Sequence, residues 1–475
     1  MKIRFWGTRG SIPRPSPETV RYGGNTSCVE VRTADNTLIV FDCGTGAWEL
    51  GRTLMAESGG KPMHGHLIIG HTHWDHIQGF PFFAPLFARG WTWDVYAPGG
   101  LGPELERSLA GQMSYEYFPV TLRDLSASIR YHDLTEGEFA IGDVRIIAQY
   151  LNHTAVTLGY RVEVGGRSLV YSTDHEPHTP YPPHPGETWR PVHREDLRHM
   201  QFMSQADLVI HDCQYTEAEY PAKIGWGHTP IEHAVDYAVA AQVKELALYH
   251  HDPARRDEDL DRIVEQCRVR IAEAGSSLRV FAAAERQIVE LVEGEQRGHA
   301  SPRQVATPPT VAAAEPQIVE LVEELENEAA QRSSRSARSR PNVTRDDVKI
   351  LIVDDDPDMR RLFEASLRPE GYSLVSVGDG EKALAAVERE RPALVILDYR
   401  LPGMTGVDVC RNIRTHADPH ISRVPIVMVT ATVREEKDIV GSFGSGVTDY
   451  LIKPITPSYL RARVRGWLLR EGASS

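Results

Sequence analysis

The 475-residue sequence has no apolar run long enough to cross a bilayer, so no membrane-spanning helix is expected within it. Cysteine is scarce. The five present (Cys28, Cys43, Cys213, Cys267 and Cys410) are widely spaced, odd in number and never paired as Cys-x-x-Cys. That pattern excludes a disulfide framework and a cysteine-based zinc knuckle, and reduced thiols in a cytoplasmic protein are expected. A basic excess is also missing, because the formal net charge is −14 at pH 7. Residues 1–293 carry 27 basic and 39 acidic side chains, residues 294–345 seven of each, and residues 346–475 18 and 20. An acidic N-terminal part argues against gripping long nucleic acids and for a small substrate. Met1-Lys2-Ile3-Arg4-Phe5-Trp6-Gly7 opens as a strand, not as a signal peptide.

The densest chemistry lies in Leu67-Ile68-Ile69-Gly70-His71-Thr72-His73-Trp74-Asp75-His76. The apolar run predicts a buried strand, and the loop after it is packed with metal-ligand side chains. Imidazole and carboxylate suit zinc, and also iron or manganese. His71 and His73 project differently from the adjacent pair Asp75 and His76, which suggests two metals with one pair on each. His64 and His66, each taken singly, read as surface histidines.

Across residues 1–293, short apolar runs alternate with turn signals and helical patterns, as in a layered α/β sandwich with its site at the strand ends. Three more ligand candidates close such runs. They are His153 after Leu151-Asn152, Asp174 after Leu169-Val170-Tyr171-Ser172-Thr173, and His250 after Leu246-Ala247-Leu248-Tyr249. Residues 92–130 read as a compact insert, with Tyr115-Glu116-Tyr117-Phe118-Pro119 walling a pocket.

His-Thr-His-Trp-Asp-His followed by His153, Asp174 and His250 resembles the metallo-β-lactamase fold superfamily over essentially all of residues 1–293. Gly7-Thr8-Arg9-Gly10-Ser11, Tyr22-Gly23-Gly24-Asn25-Thr26-Ser27 and Tyr171-Ser172-Thr173-Asp174 are similar to its phosphodiesterase branch, which includes tRNA 3′-endonucleases. The resemblance implies an αββα sandwich with two divalent ions, zinc in the first place and manganese or iron otherwise. His71, His73 and His153 would hold one, Asp75, His76 and His250 the other, and Asp174 would bridge them. His251, next to His250, is the alternative ligand. Gly227-His228-Thr229 is similar to a Gly-His-Ser segment of that branch, which implies that His228 protonates the leaving group while Asp75 also orients the nucleophile. Asp212 and His211 would supply supporting hydrogen bonds. No basic or Gly-rich arm is found, which with the acidic balance points away from tRNA processing.

Residues 294–345 read as a linker. Residues 282–293 recur almost verbatim as 312–323, with Pro316 in place of Arg286. The first copy predicts a closing strand. In the second, Pro316 and the spacing of Ile318, Leu321, Val322 and Leu325 predict an amphipathic helix over 316–331, serving either a homodimer or packing on the hydrolase domain. The Ser/Arg-rich stretch 331–342 predicts a flexible tether.

From residue 346 the pattern becomes regular β/α alternation. Asp354 and Asp355 follow one strand, Asp398 closes another, Thr430 a third, and Lys453 follows Tyr450 at a fourth. Clustered carboxylates suit a hard cation, and a lysine beside them can neutralise a phosphoryl group. This segment resembles a response-regulator receiver of (βα)5 flavodoxin-like fold. The resemblance implies Mg²⁺ on Asp354, Asp355 and Asp398, phosphorylation of Asp398, and Thr430, Tyr450 and Lys453 as switch residues. The partners it implies are a sensor histidine kinase or phosphotransfer protein. The expected whole is a phosphodiesterase for a small or cyclic phosphodiester under receiver control. A metal-dependent ribonuclease, an ester or lactone hydrolase and an inactive scaffold are the rival readings.

Overall fold

A computed structural model describes residues 1–98, 104–178, 193–292, 348–430 and 446–472, Pro454 and Thr456 excepted. The helix and tether expected over 316–342 lie outside the described residues.

Fourteen described strands of the N-terminal part form two sheets. The first has the order β14-β1-β2-β3-β4-β5-β6, with β1 (Lys2–Gly7), β2 (Cys28–Arg32), β3 (Leu38–Phe41), β4 (His64–Ile68), β5 (Thr92–Pro98), β6 (Ser128–Leu134) and β14 (Ile288–Glu290). The second runs β13-β12-β11-β10-β9-β8-β7, with β7 (Gly137–Ile141), β8 (Val144–Leu151), β9 (Thr157–Val164), β10 (Arg167–Ser172), β11 (Leu208–Asp212), β12 (Glu245–Tyr249) and β13 (Arg279–Ala282). Their inner faces share one apolar core, in which Phe5, Phe41, Ile68, Tyr160, Tyr171, Ile210 and Tyr249 are buried. Each outer face buries a second layer of helices. Helix α1 (Ala47–Ser58) and α3 (Glu104–Gln112) cover the first sheet, and α4 (Arg194–Met203), α5 (Ile231–Ala240) and α6 (Asp257–Glu273) the second. Helix α2 (Trp74–Ile77) is a single turn after β4. The four layers are the expected αββα sandwich.

Strands β3 to β6 pair in parallel, as do β10 to β13. Parallel strands with helices on their outer side bury both faces, which is why Leu208-Val209-Ile210 of β11 and Leu246-Ala247-Leu248-Tyr249 of β12 read as continuous apolar runs and not as alternation. Their C-terminal ends collect along one edge. The first copy of the repeated segment closes the domain as expected, with Ile288–Glu290 pairing antiparallel to β1.

One expectation fails. Residues 92–130 are no insert, since they supply β5, α3 and the start of the edge strand β6. Trp93, Val95 and Ala97 alternate inward under α3 and are fully or nearly fully buried. Tyr115 and Tyr117 stand on the surface, 80% and 81% exposed.

The C-terminal part is a five-stranded parallel sheet in the order β16-β15-β17-β18-β19, with β15 (Lys349–Val353), β16 (Ser373–Val377), β17 (Leu394–Asp398), β18 (Ile426–Thr430) and β19 (Asp449–Ile452). Numbered within the domain this is 2-1-3-4-5, the flavodoxin-like winding. Helices Pro357–Leu367 and Pro457–Gly472 pack against one face and Gly380–Glu390 and Gly406–Arg414 against the other.

Candidate dinuclear metal centre and phosphoacceptor site

Strand β4 ends inside the core, so the chain must turn at once, and the ligand-rich loop emerges at the edge where β8, β10, β11 and β12 also end. His71, His73, Asp75 and His76 come from this loop and α2. His153 lies in the turn between β8 and β9, Asp174 follows β10, and His250 follows β12. The structure brings all seven together.

His153 Nε2 lies 3.1 Å from His73 Nδ1, and the His71 ring packs 4.5 Å and 4.7 Å from those of His73 and His153. On the other side, His250 Nε2 is 3.2 Å from His76 Nε2 and 3.0 Å from Asp75 Oδ2. Asp174 stands between the groups. Its Oδ1 is 3.9 Å from His71 and 3.6 Å from His153, and its Oδ2 is 3.1 Å from His76 and 3.6 Å from His250. His251 turns away, with Nε2 2.9 Å from the carbonyl oxygen of Ala283.

These residues fit two cations on three grounds. The ligand atoms of His71, His73 and His153 lie within 4.8 Å of one another, as do those of Asp75, His76 and His250. Both ring nitrogens of His71 are buried without a hydrogen-bond partner, a costly state that a bound cation would relieve. The Nδ1 atoms of His76 and His153 face Asp42 Oδ2 at 2.6 Å and the Gly227 carbonyl at 2.8 Å, which leaves each Nε2 lone pair for the cluster.

Charge inside the cluster follows burial and neighbours. Burial, reinforced by His76, drives the His71 pKa well down, and burial also lowers that of His153. For His76 burial acts in the same sense, but Asp75, Asp174 and Asp42 outweigh it and leave its pKa well above the usual value. Burial opposes ionisation of Asp174, yet His250, His76 and His71 hold its pKa well below the carboxylate range.

Backbone shape aims these groups. Asp42, Asp174 and His250 have left-handed φ values of 57°, 64° and 57°, a strain of about 1–3 kcal/mol each at non-glycine residues. Gly10 and Gly227 are glycine for lack of room. A Cβ on Gly10 would come 2.4 Å from the His250 ring, and one on Gly227, itself at φ +85°, 2.1 Å from His153 Nδ1.

His228 sits beside the cluster, three residues before α5. Its Nδ1 is 3.2 Å from Asp212 Oδ2 and 3.8 Å from Asp174 Oδ1. The fully buried Asp212 also accepts the Thr229 N–H at 3.1 Å. His211 Nδ1 donates to the Asp212 carbonyl at 2.9 Å, and its Nε2 meets His199.

Several residues that hold the candidate site in shape were missed from the sequence. Asp42 accepts from the Gly70 N–H at 2.7 Å and from Tyr171 at 2.6 Å besides fixing His76. Glu176 accepts from Tyr220 and from the Gly225 and Gly227 N–H groups at 2.7–2.9 Å, which ties down the loop that carries His228. Ser11 donates its N–H to Asp75 Oδ2 at 2.7 Å. The available signals were Asp42 at a strand end and the Gly7–Ser11 segment, whose likeness to the phosphodiesterase branch assigned no role to Ser11. His64 and His66 do not reach the centre. They gather with His132 and Arg130 around Asp94, with His64 and His132 at 2.7 Å and 2.8 Å.

In the C-terminal domain, Asp354 and Asp398 close adjacent parallel strands, and Thr430 closes the next. Lys453 Nζ donates to Asp354 Oδ2 at 3.0 Å and lies 3.4 Å from Asp398 Oδ2. Burial, helped by Asp354, pushes Asp398 up to about 6. Asp355 is exposed at the rim, Asp356 caps the following helix through the Asp358 N–H, and Tyr450 is half-buried on β19.

Comparison with known proteins gives two family matches. Residues 37–251 match the family model described as "Beta-lactamase superfamily domain", and residues 350–465 match "Response regulator receiver domain". The DNA-binding response regulator MtrA of Mycolicibacterium smegmatis is 49% identical over 123 residues, 26% of this chain. The match spans about half the length of that relative, 51%. Among solved structures, the metallo-β-lactamase fold protein YhfI from Bacillus subtilis is 18% identical, with 61% of this chain and 98% of that chain covered and a TM-score of 0.43. The short form of human tRNase Z is 19% identical, covering 62% and 100% with a TM-score of 0.41. Among the described residues no helix is long and apolar enough to cross a membrane. The chain thus joins a domain of the β-lactamase superfamily to a response-regulator receiver domain.

Proposed function

We propose that the N-terminal domain is a metal-dependent hydrolase of a small phosphodiester, a cyclic or small nucleotide in the first place, and that the receiver controls it. The observation that carries this reading is His228, a buried imidazole held by the Asp212 carboxylate at the border of the seven-residue cluster. His71, His73 and His153 would hold one cation, Asp75, His76 and His250 the other, with Asp174 between them. Such a pair lowers the pKa of a water to near neutrality and offsets charge on the phosphoryl oxygens. Around it, Ser11 N–H and His250 fix Asp75, which orients the attacking water for in-line approach. Asp212 fixes His228 through Nδ1, so that Nε2 is the nitrogen that delivers a proton to the departing oxygen. The acidic balance of residues 1–293 favours a small substrate over long RNA.

In the receiver, Asp354, Asp355 and Asp398 would hold Mg²⁺. The Asp398 carboxylate takes a phosphoryl group from the phosphohistidine of a kinase or phosphotransfer protein. A P–O bond forms as the P–N bond breaks, and the imidazole leaves with a solvent proton. Lys453 and Thr430 then face the added charge.

Hydrolysis of bis(p-nitrophenyl) phosphate by protein loaded with zinc, manganese or iron tests the hydrolase reading. Turnover is expected to vanish in Asp75→Ala and to fall by about 10²–10⁴ in His228→Ala with metal content unchanged. Inactivity on the diester with turnover of p-nitrophenyl butyrate would move the assignment to ester chemistry. Inactivity on both would leave a scaffold.

A further inference from the structure

The receiver touches the hydrolase domain next to His153. Asp449, the first residue of β19, is 4% exposed. From its own domain, Trp467 Nε1–H donates to its Oδ2 at 2.7 Å, and the Arg463 guanidinium pairs with the same oxygen. From the other domain come His178 and His193, stacked at 4.5 Å with ring planes 2° apart. Their Nε2 atoms lie 3.9 Å and 3.8 Å from the Asp449 carboxylate, and both side chains are 3% exposed. Arg463, Gly466 and Trp467 also face Tyr150, Leu151 and the turn through Thr157 across a cavity of about 20 Å³, room for one water. That turn carries His153.

The same strand reaches the phosphoacceptor. β19 runs from Asp449 to Ile452, and the next residue, Lys453, contacts Asp354 and Asp398. Four residues of strand span about 13 Å, so the seam and the phosphorylation site lie at opposite ends of one short rod. Conversion of the Asp398 carboxylate to an acyl phosphate replaces a charge of about −1 by one of about −1.5 to −2 on three more oxygens and draws Lys453 towards it.

We infer that the Asp449–Arg463–Trp467 face of the receiver is seated on the His178–His193 pair, restrains the turn that bears His153, and is unseated when Asp398 is phosphorylated. The inference rests on the receiver being a phosphoacceptor, as proposed above, and not on the identity of the hydrolase substrate. Unphosphorylated protein is then the restrained form. Turnover rises on phosphorylation because a metal ligand and the loop beside it gain freedom to close on substrate.

Gly466 supplies the test. A Cβ there meets nothing within 4 Å, so Gly466→Ala leaves the helix and the receiver core undisturbed, while an indole is far larger than the cavity of about 20 Å³ that Gly466 lines. Amide hydrogen exchange is measured on the full chain for wild type, Gly466→Ala and Gly466→Trp, each with and without beryllofluoride and Mg²⁺ as the phosphoryl mimic. Gly466→Trp is expected to speed exchange in segment 150–157 at least ten-fold without altering Lys349–Val353, and Gly466→Ala to leave it unchanged. Beryllofluoride should reproduce the Gly466→Trp effect in wild type and not in Asp398→Ala. Wild-type protection of 150–157 in Gly466→Trp would overturn the seam. Beryllofluoride that slows exchange in Ile426–Thr430 but leaves 150–157 untouched would overturn the coupling. No response to it in either segment would overturn the phosphoacceptor reading, with Gly466→Trp still reporting on the seam.

Discussion

Asp42 is the residue whose removal should separate the two halves of the metal centre. Its Oδ1 accepts the Gly70 N–H, and its Oδ2 accepts both His76 Nδ1–H and the Tyr171 hydroxyl. In Asp42→Asn, one oxygen becomes an NH2 of nearly the same size. If the amide oxygen stays on Gly70, the NH2 faces His76 Nδ1, and His76 can accept only by moving its own proton to Nε2. That places hydrogen on the nitrogen needed for the cation. If the amide flips, the NH2 meets the Gly70 N–H, and a buried donor is left opposed to another at a cost of about 1–3 kcal/mol. Either way the second site is weakened, and loss of such an outer partner typically costs 10–100-fold in metal affinity. None of the Asp42 hydrogen bonds goes to His71, His73 or His153, so the first site should be spared. Calorimetric titration of the metal-free protein with zinc and with manganese should show two sites in wild type. Asp42→Asn should show one unchanged and one weakened by about 10–100-fold. Two sites of wild-type affinity, or equal loss at both, would refute the reasoning.

Gly227→Ala should reduce affinity at the other site by at least ten-fold, because its methyl would press on the His153 ring and the φ of +85° adds strain; the same titration reads it. His250→Ala should lose the second cation while His251→Ala retains both, with metal content by atomic emission as the measure, since only His250 reaches Asp75 and Asp174. Glu176→Gln should lower turnover more than metal content, because it loosens the loop that holds His228; equal loss of both would refute this. In the Mg²⁺-free receiver, Asp398 titrates near 6, against about 3.9 when unfolded. Its folded form binds the extra proton, so this group adds stability at pH 4 that is lost as pH rises through about 6, a change of roughly 2–3 kcal/mol. The difference in receiver melting between wild type and Asp398→Asn should grow across that window, and a difference flat with pH would rule the shift out.

What could be read from the sequence depended on whether a feature is written along the chain or across it. His71 to His76 are contiguous, and His153, Asp174 and His250 each close an apolar run, so strand ends marked them before any fold was known. The receiver was legible for the same reason, because Asp354, Asp398, Thr430 and Lys453 all terminate or follow strands of one parallel sheet. A layered α/β sandwich was legible in the alternation of apolar runs and helical patterns, and its αββα order came from the family resemblance. The reading of 92–130 failed because β5 and β6 carry His, Arg and Asp at the positions that face His64 and His66, and this polar content masked their alternation.

The residues that position the ligands were not legible, and the physical reason is common to them. Asp42 reaches His76 across 34 positions and Tyr171 across 129, and Glu176 meets Gly227 across 51. A single buried carboxylate has no periodicity and no motif, since its meaning lies in which donors the two sheets bring to it. The same limit applies to the seam between domains. Asp449 reads as an ordinary polar residue before Tyr450, and His178 and His193 flank a proline-rich stretch with no ligand spacing. Only the fold sets the two rings and the carboxylate face to face, one strand away from Asp398 and one turn away from His153. For that reason a Gly466→Trp variant is the more incisive probe of how this chain is wired. It alters no residue of either candidate site, so any change it produces at His153 must travel through the contact itself.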